Sequence, residues 1–128
     1  MRENLQIAVA ALGGWIGWVL GGYDGFIYAL IAFVAADYVS GVMAAILARQ
    51  LSSAIGFRGI AKKVLIFTLV GVGHILDTQI LGNGGAIRTA VIFFYISEEG
   101  ISILENAAEM GLPIPEVLQR VLGGMRDE

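Results

Sequence analysis

The stretch RTAVIFFYISEEGISILEN, residues 88–106, combines an apolar half with a charged half and dominates the interpretation of the chain. Residues 90–96 are apolar or aromatic without interruption, as in a membrane helix. Glu98 and Glu99 then follow side by side, and Glu105 comes soon after them. A carboxylate that faces lipid is costly, so these side chains are expected to face protein or water.

The composition of the 128-residue chain is typical of a membrane protein. Hydrophobic residues make up 57% of it and charged residues 15%, and the mean hydropathy is +0.78. A soluble domain of this length needs more charge to cover its surface. The lack of cysteine excludes disulfides and thiolate chemistry, and a net charge of −3 without a basic arm argues against nucleic-acid binding.

Four apolar segments are each long enough to span, or nearly to span, the hydrocarbon core of a membrane. They comprise residues 5–22, 26–48, 64–81 and 86–104. The chain is therefore predicted to be a single all-α membrane domain over residues 1–128, with four transmembrane helices and a tail at 111–128. Three spans are the alternative, as is a cleaved signal peptide for the first segment, although one Arg offset by one Glu is a weak start for one.

Basic residues lie mostly on one side of this arrangement. Those of the second loop, the N-terminus and the tail are Arg49, Arg58, Lys62 and Lys63, then Arg2, then Arg120 and Arg126. Only Arg88 falls on the other side, which leaves seven of the eight basic residues together. Because lysine and arginine concentrate in cytoplasmic loops, both termini are predicted to be cytoplasmic.

The tail PIPEVLQRVLGGMRDE, residues 113–128, has the pattern of a short amphipathic helix. Its apolar face would contain Val117, Leu118, Val121, Leu122 and Met125. Such a helix either lies on the inner surface of the membrane or packs on a neighbouring helix.

Three ionisable residues fall near the middle of three different predicted helices. Counted at about 1.5 Å per residue from the outer ends, Asp37 lies roughly 16 Å deep, His74 roughly 12 Å and Glu98 roughly 18 Å. A charge at such a depth costs at least about 2.5–3.5 kcal/mol against lipid. The three side chains are therefore predicted to meet one another or to line a polar interior.

Further charges match in depth between the third and fourth predicted helices. Asp77 and Arg88 both lie near the outer ends, while Glu105 lies near the inner end, at the level of Arg58 and Lys62. Antiparallel packing of the two helices would bring opposite charges together at both ends.

One face of the fourth helix is predicted to be polar, because Glu98, Ser102 and Glu105 follow helical spacing. The full predicted intramembrane polar network comprises Asp37, His74, Asp77, Arg88, Glu98, Glu99, Ser102 and Glu105. These residues either fix helix pairing inside a monomer or face water or a partner subunit in an assembled pore.

Small residues form two candidate surfaces for close helix packing. Gly13, Gly17 and Gly21 repeat every four residues on the first helix, and Gly41 and Ala45 form a second pair on the next. The pattern is compatible with packing within one chain or between chains.

No pattern of catalytic, metal-ligating or cofactor-binding residues is present. His74 is the only histidine, which leaves a metal site to carboxylates alone. The chain contains no GxSxG stretch, and its GNGG turn at residues 82–85 lacks the Lys-Ser/Thr of a P-loop. The sequence therefore predicts a protein that is not an enzyme and that has no metal or cofactor.

Several long stretches resemble the toxin-secretion/phage-lysis holins, a family that includes the clostridial toxin-release holin. They are DYVSGVMAAI from Asp37, LSSAIGFRGIAKKV from Leu51, HILD from His74, RTAVIFFYISEEGISILENA from Arg88 and GLPIPEVL from Gly111. Together they extend through most of residues 37–122.

The resemblance implies a multi-pass protein of the bacterial cytoplasmic membrane that contacts lipid, forms homo-oligomers and opens lesions. Through these lesions an endolysin or a toxin would leave the cytoplasm. Two other classes stay open from the residues: a small proton-coupled cation or drug transporter, and a membrane scaffold. The transporter is disfavoured because the first helix lacks the Glu that such proteins need.

Overall fold

The computed structural model is all-helical and describes the backbone of residues 1–127 and the side chains of residues 1–124. The predicted all-α class is thereby confirmed, whereas the Met125 and Arg126 side chains lie outside the described residues. The helices are α1 Arg2–Leu20, α2 Gly25–Leu47, α3 Ser53–Ile75 continued by a π-helical segment Leu76–Leu81, α4 Ala86–Glu109 and α5 Glu116–Asp127.

The start of α3 corrects the predicted loop between the second and third helices. The helix begins at Ser53 rather than near residue 64, because the Ser52 side chain accepts a hydrogen bond from the Ile55 backbone N–H at 3.2 Å. Such a cap satisfies one of the free N–H groups of the first turn. Of the four basic residues assigned to this loop, Arg49 lies in the connection, and the other three lie on α3: Arg58, Lys62 and Lys63.

Helix α4 occupies the centre of the molecule and packs against α2, α3 and α5, while α1 packs along α3. Side chains from α1, α2, α3 and α4 form one apolar core. Its buried members are Leu20, Ile27, Leu30, Val34, Ile66, Val70, Ile92 and Ile96. This core lies toward the α1–α2 and α3–α4 connections, whereas the buried Ala44 and Leu122 lie outside it.

Two helices are long and apolar enough to cross a membrane by length and composition. They are Gly25–Leu47 and Ser53–Leu81. Four spans were predicted, and within residues 1–127 neither α1 nor α4 meets the same criterion. Polar residues at the start of α1, and the charged residues along α4, lower their apolar content.

The glycine surface of α1 is only partly used inside the chain. Tyr23 folds back over it, donates a hydrogen bond to the Gly13 carbonyl at 2.6 Å, and covers Gly17 with its ring. Gly21 ends the helix with a φ of 87°. Among the described residues, a Cβ atom at Gly13 or Gly14 would meet no atom within 4 Å. On α2, a Cβ atom at Gly41 would lie 3.6 Å from the Asn106 amide nitrogen.

Helix α5 packs back onto α4, with Leu122 in close contact. Leu122 is buried, and a Cβ atom at Gly100 would lie 2.8 Å from one of its methyl groups. Of the two sequence alternatives, packing on a neighbouring helix is therefore the one observed. Val117 and Val121 stay exposed, so α5 buries only part of its apolar face.

The replacement Gly100→Val is expected to detach α5 from α4. The added side chain would overlap Leu122, and overpacking of this kind typically costs about 1–3 kcal/mol. The check is the rate of tryptic cleavage after Arg120 in detergent, which should rise. Leu122→Ala should raise it as well by removing the other partner, whereas Gly14→Val, on an open face of α1, should leave it unchanged.

Candidate functional site

Three charged side chains from three helices meet in the interior. The Lys63 ammonium on α3 donates to the Asp37 carboxylate on α2 at 2.5 Å and to both carboxylate oxygens of Glu99 on α4 at 2.8 Å. Asp37 and Glu99 are 7% and 4% exposed. Buried carboxylates require such partners, because each would otherwise be an uncompensated charge away from water.

Asn106 extends this cluster toward the inner end of α4. Its amide nitrogen donates to the second oxygen of Asp37 at 3.0 Å and to the Ser40 hydroxyl at 2.9 Å. Lys63, Asp37, Glu99 and Asn106 are called the Lys63 cluster below. Sequence reasoning did not identify Asn106 and placed Lys63 in a loop. The available signal for Asn106 is its spacing, because it lies seven positions, or about two helical turns, after Glu99.

A cavity of about 440 Å³ adjoins the Lys63 cluster between α2 and α3. Its polar lining comes from Asp37, Tyr38, Arg58, Lys62, Lys63, Ser102 and Asn106. Its remaining walls are apolar or small, formed by Gly41, Val42, Ala45, Leu51, Ile55, Gly56 and Gly59. The α2–α3 cavity, as it is called below, therefore has both charged and apolar walls.

A second polar cluster lies at the opposite end of α4. Arg88 is 6% exposed, and its guanidinium donates to the Leu20 carbonyl at 2.6 Å, to the Gly22 carbonyl at 3.0 Å and to Asp24 at 2.8 Å. Asp77 does not pair with the Arg88 side chain. Its carboxylate instead accepts the backbone N–H groups of Ile87 and Arg88 at 2.9 and 2.8 Å.

Asp77 thus caps the N-terminus of α4 from the π-helical segment. The N-terminal N–H groups of a helix lack partners within the helix, and a carboxylate there is also favoured by the helix dipole. Gly85, the residue at the cap position of α4 itself, has no side chain to serve this purpose. Asp77 and Arg88 are brought together as expected from their depth, but through the backbone of α4.

The remaining residues of the predicted network are spread over the molecule. His74 does not meet Asp37: it borders Gly21 and Arg88, because it lies 11 residues, or roughly 16 Å of helix, beyond Lys63 on α3. Glu98 and Ser102 are half-buried, and Ser102 lines the α2–α3 cavity. Glu105 is exposed, so the described side chains do not form the network as one unit.

Asp24 makes the second cluster, around Arg88, sensitive to acid. The hydrogen bond from Arg88 and the backbone N–H of Ile27 hold the pKa of this carboxyl below its usual value, against a smaller opposing effect of burial. A carboxyl group with a lowered pKa in the folded state stabilises that state at pH values above its ordinary pKa. This stabilisation is lost as the pH falls through the folded-state pKa. Wild type should therefore be more stable than Asp24→Asn at about pH 7, and the difference should shrink toward about pH 3 in denaturation curves. A difference that grows on acidification would contradict this.

The chemistry of the two clusters is that of charge pairing and helix fixation. No group of three or more histidine, aspartate or glutamate side chains suited to a metal ion occurs in the part of the chain that the structure describes. The Lys63 cluster pairs one cation with two carboxylates, which holds α2, α3 and α4 together at one depth.

Sequence comparisons find relatives of this chain in bacteria. An uncharacterised protein of Listeria innocua is 44% identical over 122 residues, which cover 95% of this chain and 86% of the relative. An uncharacterised protein of Clostridium perfringens is 43% identical over 119 residues, covering 92% and 87%. No solved structure matches the chain.

A phage protein and a family profile give the class. A protein of Bacillus phage phi105 with the name "Probable holin" is 34% identical over 116 residues, which cover 91% of this chain and 79% of the relative. Residues 14–127 match the sequence profile of the bacteriophage holin family. The chain therefore belongs to the bacteriophage holin family, as the resemblance in its sequence predicted.

Proposed function

We propose that this protein is a holin that oligomerises in the bacterial cytoplasmic membrane and opens lesions, through which a cytoplasmic endolysin or toxin escapes. Membership of the family makes it a non-enzymatic protein of the cytoplasmic membrane. The observation that carries the proposal further is the exposure of the apolar side chains of α1, including Leu12, Trp15 and Trp18. A face of this kind needs lipid or further copies of the chain to cover it.

The proposed arrangement is a single membrane domain with four spans and both termini cytoplasmic. It is supported by the distribution of charge along α4. Arg88 and Asp24 pair near its N-terminus, whereas Arg58 and Lys62 line the cavity beside the Lys63 cluster, nearer its other end. Helix α4 has a low apolar content, but its Arg88 and Glu99 side chains are buried, Arg88 against the α1–α2 connection and Glu99 against Lys63 of α3. A helix can cross a membrane with charges when those charges pair inside the protein.

Assembly is proposed to use the open part of α1, and lesion formation the polar face of α4. The positions at Gly13 and Gly14 admit a close neighbour, as small residues do in packed membrane helices. Glu98, Ser102 and Glu105 are proposed to line water once several copies are assembled. Lys63, Asp37 and Glu99 are proposed to hold the monomer together in both states.

A lysis experiment tests the function. A culture would express the protein with or without a cytoplasmic muralytic enzyme that lacks an export signal, and turbidity would be followed. Abrupt lysis that requires both proteins is expected, because only large lesions pass a folded enzyme. Continued growth with the protein present in the membrane would contradict the proposal.

Neutralising the acidic face of α4 is expected to alter lesion formation without unfolding the monomer. The double replacement Glu98→Gln and Glu105→Gln removes two charges from water-lining positions while leaving the Lys63 cluster intact. The time of lysis in the same culture should shift, whereas Glu3→Gln on α1 should not shift it. Unchanged timing in the double variant would argue against a water-lining role.

A small proton-coupled cation transporter is the second candidate, and one observation favours it. Asp37 of the Lys63 cluster lines the α2–α3 cavity, so this carboxylate has a route to solvent. Purified protein in vesicles would show cation uptake driven by a proton gradient if this function were correct. Release of a folded enzyme from the vesicles, without such coupled uptake, would instead favour the holin.

A further inference from the structure

The rim of the α2–α3 cavity has two cations for which the described side chains, those of residues 1–124, supply no counter-ion. Arg58 and Lys62 both line the cavity and are exposed, and neither forms an ion pair with any residue whose side chain the structure describes. They differ in this from Lys63, which binds two carboxylates, and from Arg88, which binds Asp24. Two adjacent unpaired cations beside a cavity form a receptor for an anionic group.

The depth of these cations corresponds to the headgroup layer of a membrane. The segment Ser53–Leu81 contains 29 residues, or about 43 Å if fully α-helical, and so exceeds the hydrocarbon thickness of about 30 Å. About 20 residues counted back from Leu81 fill the hydrocarbon, and Lys62 lies at the end of that count. This placement rests on the proposed membrane-spanning role of α3, with its N-terminus at the cytoplasmic side.

The remaining walls of the cavity are apolar or small and leave room for a headgroup. They are formed by Val42, Ala45, Leu51, Ile55 and the glycines of α2 and α3. Leu51 and Ile55 precede the two cations in the chain and so lie on their cytoplasmic side, whereas the exposed Val64 and Leu65 follow them toward the hydrocarbon. A headgroup can therefore bind in the cavity while the acyl chains lie outside it along α3.

We propose that the α2–α3 cavity binds the headgroup of one anionic phospholipid of the cytoplasmic leaflet, with its phosphate on Arg58 and Lys62 and its acyl chains outside the cavity along α3. Basic pockets between membrane helices on the cytoplasmic side are suited to such headgroups. The two carboxylates of the Lys63 cluster outnumber its single cation, which keeps the phosphate at the rim.

The test measures lipid retention on the purified full-length protein. Native mass spectrometry would follow binding from mixed micelles containing equal amounts of phosphatidylglycerol and phosphatidylcholine. Wild type should retain the anionic lipid preferentially. The double variant Arg58→Gln and Lys62→Gln should reduce that retention roughly tenfold or more, since each juxtamembrane cation contributes strongly to binding of anionic lipid.

Two further variants distinguish lipid binding at this cavity from attraction of the lipid by the general positive charge of the surface. Ala45→Leu fills the cavity without changing any charge and should also reduce retention. Arg49→Gln removes a basic residue of the neighbouring connection that does not line the cavity, and it should have little effect. Circular dichroism of each variant would verify that its helix content matches that of wild type.

Three results would overturn the proposal. Equal retention of both lipids by wild type would remove the anion preference. Equal losses in the Arg49→Gln and Arg58→Gln/Lys62→Gln proteins, or no loss in Ala45→Leu, would mean diffuse surface attraction. Complete displacement by soluble glycerol phosphate would mean that a free phosphate ester, and not a lipid, is the ligand. The measurement is independent of lysis, so its failure and that of the holin proposal are distinguishable.

Discussion

Replacing Lys63 with methionine is expected to destabilise the protein by about 3–5 kcal/mol, the cost typical of breaking a buried ion pair. Methionine keeps the length of the side chain but removes the cation between Asp37 and Glu99. Two carboxylates that are 7% and 4% exposed would then lie side by side without a counter-ion. The folded state must either separate α2 from α4 or bind a proton, and both cost free energy.

Unfolding in detergent with increasing denaturant, followed by circular dichroism, would measure this loss. Lys62→Met is the matched control, because the neighbouring lysine is exposed and lines the rim of the α2–α3 cavity. The triple variant that adds Asp37→Asn and Glu99→Gln should recover much of the lost stability, since it removes the unpaired charges. Equal stability of Lys63→Met and Lys62→Met would show that the cluster does not hold the helices together.

The helices themselves were largely readable from the sequence, because their apolar runs are long and their ends have clear signals. Asp24 caps α2, and Gly21 and Gly82 end the preceding helical segments in the left-handed conformation. The start of α3 was missed because basic residues were interpreted as a loop by the cytoplasmic charge rule. Charge shows on which side of a membrane a residue lies, whereas the Ser52 cap determines whether it is helical.

The partners within the polar clusters were less predictable than their depths. Counting residues placed Asp37 near the level of Glu98 and Glu99, but the rotation of α4 decides which glutamate faces inward, and Glu99 is the buried one. The same residue count predicted that Asp77 and Arg88 lie close together, but it did not indicate that Asp77 contacts the backbone N–H group of Arg88 rather than its side chain. Side-chain direction depends on how helices pack, and a single sequence contains little information on that.

Removing the Arg88 guanidinium is the change expected to have the largest effect at the outer end. Arg88→Leu should destabilise the protein by about 3 kcal/mol, because hydrogen bonds from a charged donor to three partners are lost. The carbonyls of Leu20 and Gly22 would lose their donor, and Asp24 would lose its counter-ion. Since these groups belong to the end of α1 and the following turn, α1 should separate from the remaining helices first.

A disulfide reporter would detect this separation directly, since the natural chain has no cysteine. Val19→Cys and Gly71→Cys place thiols where α1 and α3 are in close contact, because a Cβ atom at Gly71 would lie 3.2 Å from the Val19 side chain. Oxidation should give less cross-linked product when Arg88→Leu is added, and Arg120→Leu, at an exposed site on α5, should not reduce it. Arg88→Lys should give an intermediate yield, because a lysine keeps the charge but cannot reproduce the fork of donors. Undiminished cross-linking in Arg88→Leu would mean that apolar packing against α3 alone holds α1, and that Arg88 has no part in its attachment.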